Sequence, residues 1–191
     1  MATTILYPRN VESNEAGFNW LASVASILLP LEREAVTFEA RHLRFFAANL
    51  CAPFGALLQD AGSRGNTIDV GEVRGTVLGI WSKNLFMERF GGVPMNDTFR
   101  ATLAYRQFSL TQSAREFADY IQHELMSRDR DLPQMSDEMR REFATSIEEI
   151  FDNAQPHCNS QSGNFGCDQL FLTPDRLAFT LTDIGVSFEM E

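Results

Sequence analysis

Residues 136–156 read SDEMRREFATSIEEIFDNAQP, and they decide how the rest of the chain is read. Ser136 can accept hydrogen bonds from the free amides that begin a helix, and Asp137 and Glu138 suit the positive end of its dipole. Met139, Phe143, Ile147, Ile150, Phe151 and Ala154 recur at helical steps, which predicts an apolar stripe along one long helix. Pro156 restricts the residue before it, so the helix is expected to close near Gln155. Glu149 and Asn153 stand one turn apart, on a face that borders the stripe. Such a pair can do joint chemistry. The carboxylate can orient a water or take its proton, and the carboxamide oxygen can ligate a hard cation such as Mg²⁺.

Downstream, Asn164–Leu172 and Leu177–Thr182 read as strands joined by Thr173-Pro174-Asp175-Arg176, a hairpin connection. The second strand runs into Asp183-Ile184-Gly185, a carboxylate at a strand end followed by a turn glycine, where ligand contacts are common. Upstream, Thr98–Tyr105 alternates as a strand does. Ser113 and Glu116 form a capping box for a helix over Ala114–Met126, with Phe117, Tyr120, Ile121 and Leu125 on its apolar face. Phe90–Asp97, FGGVPMND, is rich in turn residues and predicts a boundary between residues 1–92 and 97–191. Before it come a helix over Asn14–Leu29 (Phe18, Leu21, Ala22, Ala25, Leu28 and Leu29 inward), a strand at Ala35–Phe38 and a helix over Asn49–Ala61. A strand at Thr67–Val70 and a helix near Gly75–Trp81 follow. That alternation predicts an α/β layer, and the whole chain an α/β (α+β) class.

Composition narrows the function. Of 191 residues, 44% are hydrophobic and 22% charged, which excludes a disordered chain. The net charge is −10, from 26 acids and 16 bases, and it is uneven. Residues 1–96 hold nine acids and eight bases, so residues 97–191 hold 17 acids and eight bases, a net of −9. Nucleic acids and anionic membranes are gripped by clustered Lys and Arg, so neither is expected as a partner. Lys83 is the single lysine, and no G-x-x-x-x-G-K phosphate loop occurs. The most apolar run, Phe18–Leu31, is interrupted and shorter than the roughly 20 residues of a membrane span. MATTILYPRN lacks the pattern of a secretory signal, and three cysteines (Cys51, Cys158, Cys167) without C-x-x-C spacing suit a reducing cytoplasm. His157-Cys158 with Cys167 does not match zinc-ligand spacing.

The stretch Glu149-Ile150-Phe151-Asp152-Asn153-Ala154-Gln155-Pro156-His157 resembles the N box, E-x-x-x-N-A-x-x-H, of the GHKL ATP-binding superfamily. That group includes DNA gyrase, histidine kinases, MutL-type repair proteins and the serine kinases that act as anti-sigma factors. Asp183-Ile184-Gly185-Val186-Ser187-Phe188 resembles its G1 box, with Ser187 where a second glycine is usual. The resemblance covers roughly residues 110–191 and implies a partial GHKL-type helix/sheet sandwich. By that resemblance, Glu149 is the general base for attack on the γ-phosphate and Asn153 the ligand of Mg²⁺. Asp183 accepts a hydrogen bond from the adenine amino group, and Gly185 lets the base approach. His157 occupies the family position at the helix end.

ATP and Mg²⁺ are the cofactors so implied. The glycine-rich lid of the family has no counterpart between Gly185 and Glu191, so the nucleotide site is expected to be incomplete in this chain and catalysis by it alone is not expected. Leu43–Leu50, Gly55–Leu58 and Gly65–Val70 resemble, more faintly, STAS-like domains, which often partner the anti-sigma kinases. Ala47-Ala48-Asn49 stands where those domains often carry a phosphorylatable Ser or Thr. Two functions are implied: an ATP-binding signalling or regulatory protein of ATPase or protein serine kinase ancestry, or a non-catalytic scaffold that kept half of that fold. Both imply a protein partner or self-association, since an incomplete sheet leaves an edge to be paired.

Overall fold

Strand β1 (Ala2–Leu6) pairs in parallel with β3 (Ala35–Glu39), and β3 pairs in parallel with β5 (Thr67–Asp69). Parallel neighbours need a crossover, and α1 (Glu15–Leu28) and α2 (Cys51–Ser63) supply the two. A second parallel pair, β2 (Asn10–Val11) with β4 (Phe45–Phe46), continues the first beyond a break. Helix α3 (Gly75–Lys83) follows β5. Beyond it, β6 (Thr102–Phe108), β7 (Asn164–Phe171) and β8 (Arg176–Asp183) form an antiparallel sheet in the order β6-β7-β8. Helix α4 (Ala114–Tyr120), extended by a π-helical turn over Ile121–Leu125, and α5 (Asp137–His157) lie between β6 and β7 in sequence. The class is α+β. This computed structural model describes residues 2–98, 102–109, 114–126, 136–157, 163–171 and 176–185. Ser113, Cys158, residues 172–175 of the hairpin link and Val186–Glu191 lie outside the described residues.

Helix α1 turns a different face inward from the one its periodicity predicts. Gly17, Leu21, Val24 and Leu28 are buried, whereas Phe18 is 50% exposed and Leu29 and Ala22 are also exposed. The reason is a close approach. A Cβ on Gly17 would stand 1.9 Å from the Glu12 carbonyl oxygen, so only glycine lets the helix roll onto that side. Asn14 caps the same end by accepting from the Gly17 amide at 3.1 Å.

The β6-β7-β8 sheet is covered on both faces. Phe165 and Cys167 of β7 and Tyr105 of β6 join the core formed by β1, β3, α1 and α2. Leu103 and Phe108 of β6, with Phe179 and Leu181 of β8, pack against α4 and α5. Leu103 and Tyr105 are two residues apart yet face opposite layers. A β-bulge explains this: between Leu103↔Asp168 and Arg106↔Gly166, two residues of β6 oppose one of β7. The flip sends Tyr105 toward α2, where Gly55 leaves it room; a Cβ there would be 2.3 Å from the Tyr105 hydroxyl.

Residues on both sides of the segment 92–97 therefore share one buried core. At its centre, the Phe54 ring lies within 5.3–6.1 Å of Tyr7, Trp20, Phe38, Phe46, Trp81 and Phe86. Polar contacts cross the same boundary. Asn49 donates to Ser13 Oγ and Thr180 Oγ1 at 3.1 and 3.0 Å, and the Tyr105 amide donates to the Asn84 carbonyl at 2.6 Å. The buried Asn84 carboxamide also reaches Cys51 Sγ and Cys167 Sγ, both buried. Among the described residues no helix is long and apolar enough to cross a membrane.

Two outcomes are expected. Phe54→Ala removes the ring on which six others converge and lowers unfolding stability by about 3–5 kcal/mol in urea titration. Burial pushes the Tyr7 phenol well up, with Cys51 and Asp69 adding to it. Burial likewise raises Tyr105, opposed by Arg89 and aided by Cys51 and Cys167. Raised folded values mean that this stability is fully present below the unfolded tyrosine value of about 10 and is lost as pH rises beyond it. Urea midpoints should fall above pH 10, and less steeply in Tyr105→Phe.

Candidate functional site

Helix α5 starts as its sequence dictates: Ser136 Oγ accepts from the Met139 amide at 3.1 Å and its carbonyl from the Arg140 amide at 3.0 Å. It runs to His157, two residues past the end expected from Pro156. Its buried line is Ala144, Ile147 and Phe151, with Phe143 half-buried. Met139 and Ile150, expected in that line, are 54% and 58% exposed. The helix presents its 144–147–151 line to the sheet, which leaves residues 146, 149, 150 and 153 on an outer strip at successive helical steps. Glu149 and Asn153 are both exposed there, with Ile150 between them. Their face is thus more solvent-directed than the sequence pattern suggests.

Asp183 ends β8 and is exposed. Its Oδ1 accepts from the Gly185 amide at 2.8 Å, an Asx turn that fixes the carboxylate at the strand end. Gly185 is exposed as well, so its backbone is open on the side away from this bond.

The two motifs are related through the sheet. Phe108, Asn164 and Asp183 are register partners in turn across β6, β7 and β8, so they form one row. Directly opposed residues share a face, and this row belongs to the face that carries Phe108, packed against α4 and α5. Phe151 reaches the Phe108 end of the row at 5.8 Å and stacks on Phe117 at 4.0 Å and 7°. The segment around Phe151 and the Asp183 turn therefore sit at the same end of one helix–sheet layer. Two strand spacings, about 10 Å, separate Phe108 from Asp183. Among the described residues no hydrogen bond joins Glu149 or Asn153 to Asp183.

Glu149 and Asn153 could offer one or two oxygens to a hard cation such as Mg²⁺. That ion takes only one or two protein oxygens and completes its shell with phosphate oxygens and water. An exposed carboxamide one turn from an exposed carboxylate offers that much, and among the described residues no cluster of three His, Cys, Asp or Glu is arranged for a metal. The side chain of His157 is not described.

Two features escape sequence reading. Asn164 completes the row while being almost wholly buried, and a lone asparagine at a strand start carries no periodic signal. A half-open cleft of about 1030 Å³ lies where β3 and β5 end, lined by Thr4, Thr37, Asp69, Arg41, Arg44 and Arg74 among others. Arg41 pairs with Glu39 and Arg74 with Glu72, so its charges largely cancel. None of Glu149, Asn153 or Asp183 lines it.

Comparison with family models, with curated proteins and with solved structures finds no match.

The separation of outer strip from buried line has a measurable consequence. Glu149→Gln and Asn153→Ala should each change unfolding stability by less than about 0.5 kcal/mol, as exposed substitutions do. Phe151→Ala, two residues from either, should cost about 3–5 kcal/mol in the same assay.

Proposed function

We propose that this chain is an ATP-binding signalling or regulatory protein of GHKL type, with a STAS-like layer in residues 1–92. The observation that carries the reading is the row from Phe108 to Asp183, with Phe151 of the N-box helix against its far end. Asp183 accepts from the adenine amino group, and the Asx turn to Gly185 keeps that carboxylate aimed outward. Asn153 holds Mg²⁺ through its side-chain oxygen, and the ion supplies charge neutralisation along the triphosphate. Glu149 takes the proton of an attacking hydroxyl as its oxygen bonds the γ-phosphorus and the bridge to ADP breaks. The site needs donors for the phosphates beyond those named, and a protein partner or a second copy is the source consistent with that need. The STAS-like reading is supported by parallel strands whose crossover helices lie on one face. Its Ala47-Ala48-Asn49 segment is buried and offers no hydroxyl for phosphorylation.

A second reading has its own support. Met139 and Ile150 expose apolar carbon on α5, the surface a non-catalytic scaffold would use to dock a partner.

Calorimetric titration with ATP and Mg²⁺ separates the two. Saturable heat is expected, with thermal stabilisation equivalent to about 2.7 kcal/mol once ligand reaches roughly 100 times Kd. Asp183→Asn should abolish both. Glu149→Gln should keep the binding and reduce any turnover by about 10²–10⁴-fold. No heat and no stabilisation at millimolar nucleotide leave the scaffold reading.

A further inference from the structure

The cleft at the ends of β3 and β5 has no role so far. A parallel sheet is normally covered on both faces. Here Ile5, Val36 and Phe38 turn to the core shared with α1 and α2, while Ala2, Thr4, Ala35, Thr37, Thr67 and Asp69 are exposed on the other face. Leu6 apart, that face carries no large apolar side chain, so it suits a polar ligand better than a helix. Parallel register sets Thr4, Thr37 and Asp69 side by side in one row, about 4.8 Å from strand to strand. All three line the cleft of about 1030 Å³, a volume at the top of the range for small-molecule sites, about 300–1,000 Å³. Asp69 is fixed at its strand end. Its Oδ1 accepts from the Gly71 amide at 2.8 Å, and a Cβ on Gly71, at φ +77°, would stand 2.0 Å from the Phe38 carbonyl oxygen. Among the described residues nothing donates to Asp69 Oδ2. Three exposed arginines line the same cleft. Among the described residues Arg44 pairs with no acid; its Nη1 donates to the Arg41 and Leu43 carbonyls at 3.3 and 3.1 Å, which leaves Nε and Nη2 for a ligand. Arg41 and Arg74 are held by Glu39 and Glu72 in exposed ion pairs, weak enough to yield to a phosphate.

We propose that this cleft binds a phosphorylated polyol: Asp69, Thr37 and Thr4 take its hydroxyls, and Arg44, joined by Arg41 and Arg74, takes its phosphate. A carboxylate accepts from O–H donors and threonine hydroxyls both donate and accept, so the row matches a run of neighbouring hydroxyl groups. Guanidinium forks pair phosphate oxygens two at a time. The place is the one where open parallel sheets hold ligands, outside the carboxyl ends of their strands. A nucleobase is not the match. Among the described residues that line the cleft, Phe38 is the one with a ring, and at 1% exposure it offers no face for stacking. The inference is independent of the GHKL reading, because Glu149, Asn153 and Asp183 lie outside the cleft.

The test uses the full chain and four probes titrated by calorimetry: glycerol 3-phosphate, ribose 5-phosphate, glucose 6-phosphate and inorganic phosphate. At least one polyol phosphate should bind about tenfold more tightly than inorganic phosphate, which is what one hydrogen bond to a charged group contributes. Asp69→Asn keeps an acceptor for the Gly71 amide and should remove that preference without weakening inorganic phosphate. Arg44→Ala should weaken all four probes by about tenfold or more. Arg44→Gln carries the same test should the alanine variant lose its circular-dichroism signature. Asp183→Asn should leave every value unchanged. No saturable heat from any polyol phosphate at millimolar concentration overturns the inference. So does an affinity no better than that of inorganic phosphate, or one that neither Asp69→Asn nor the Arg44 variants alter. Binding lost in Asp183→Asn but kept in Asp69→Asn places the ligand at the other site and refutes this one, whereas a failure to bind ATP leaves it standing.

Discussion

Everything else in the structure hangs on the bulge in β6. A three-stranded antiparallel sheet normally has one face against a core and one toward water. Here both faces are packed, and β6 serves both because two of its residues oppose one of β7 between Leu103 and Arg106. Leu103 and Phe108 go to α4 and α5, while Tyr105 goes to α2. Without the extra residue, strict alternation would turn either Tyr105 or Phe108 onto the wrong layer. The first loss would open the space beside Gly55 and next to Phe86, whose ring lies 5.2 Å from Tyr105. The second would remove the ring that meets Phe117, Tyr120 and Phe151. The bulge is therefore what lets one sheet fasten α5 to the rest of the chain.

The same bulge explains where the sequence was readable and where it was not. Helix α5 was legible because Ser136, the acidic first turn and the apolar steps all agree. Strand β6 is expected over Thr98–Tyr105, with Phe99, Ala101, Leu103 and Tyr105 alternating; among the described residues it runs Thr102–Phe108, and residues 99–101 lie outside them. Alternation is a sound guide only for a regular strand, and the bulge breaks it between Leu103 and Tyr105. Strand β1 gave no signal because only Ile5 of its five residues is buried. In α1 the periodic apolar residues were real, but Gly17 rolled the helix so that Phe18 and Leu29 came out and Val24 went in. A close backbone approach leaves no trace in hydrophobic period.

The candidate site was half legible for a related reason. Glu149 and Asn153 are local in sequence, so helix geometry alone sets them one turn apart. Their relation to Asp183 is not local. It runs through two strand pairings and one ring contact, Asp183 to Asn164 to Phe108 to Phe151. Register is fixed by the fold as a whole, which is why Asn164 has meaning only once β7 has been set against β8.

Among the described residues, four buried asparagines show how the interior handles polarity, and they divide into two kinds. Asn66 donates to the Leu31 and Ala61 carbonyls and accepts from the Glu34 amide, so it is wholly spent on tying loops. Asn84 accepts from the Phe86 amide and donates toward two thiols, and it is spent as well. Among the described residues, Asn49 and Asn164 each keep a buried Oδ1 without a partner. These two flank the last sheet from opposite sides, Asn49 by its bond to Thr180 of β8 and Asn164 by its register with Asp183 of the same strand. A neutral amide tolerates an unmet hydrogen bond in such a place far better than a carboxylate would tolerate an unmet charge. Asn49 thus ties β8 to the turn before α2 through Thr180, whereas Asn164 meets the strand through the ladder register. Asp183 is the one acidic residue of its row and lies exposed at the strand end.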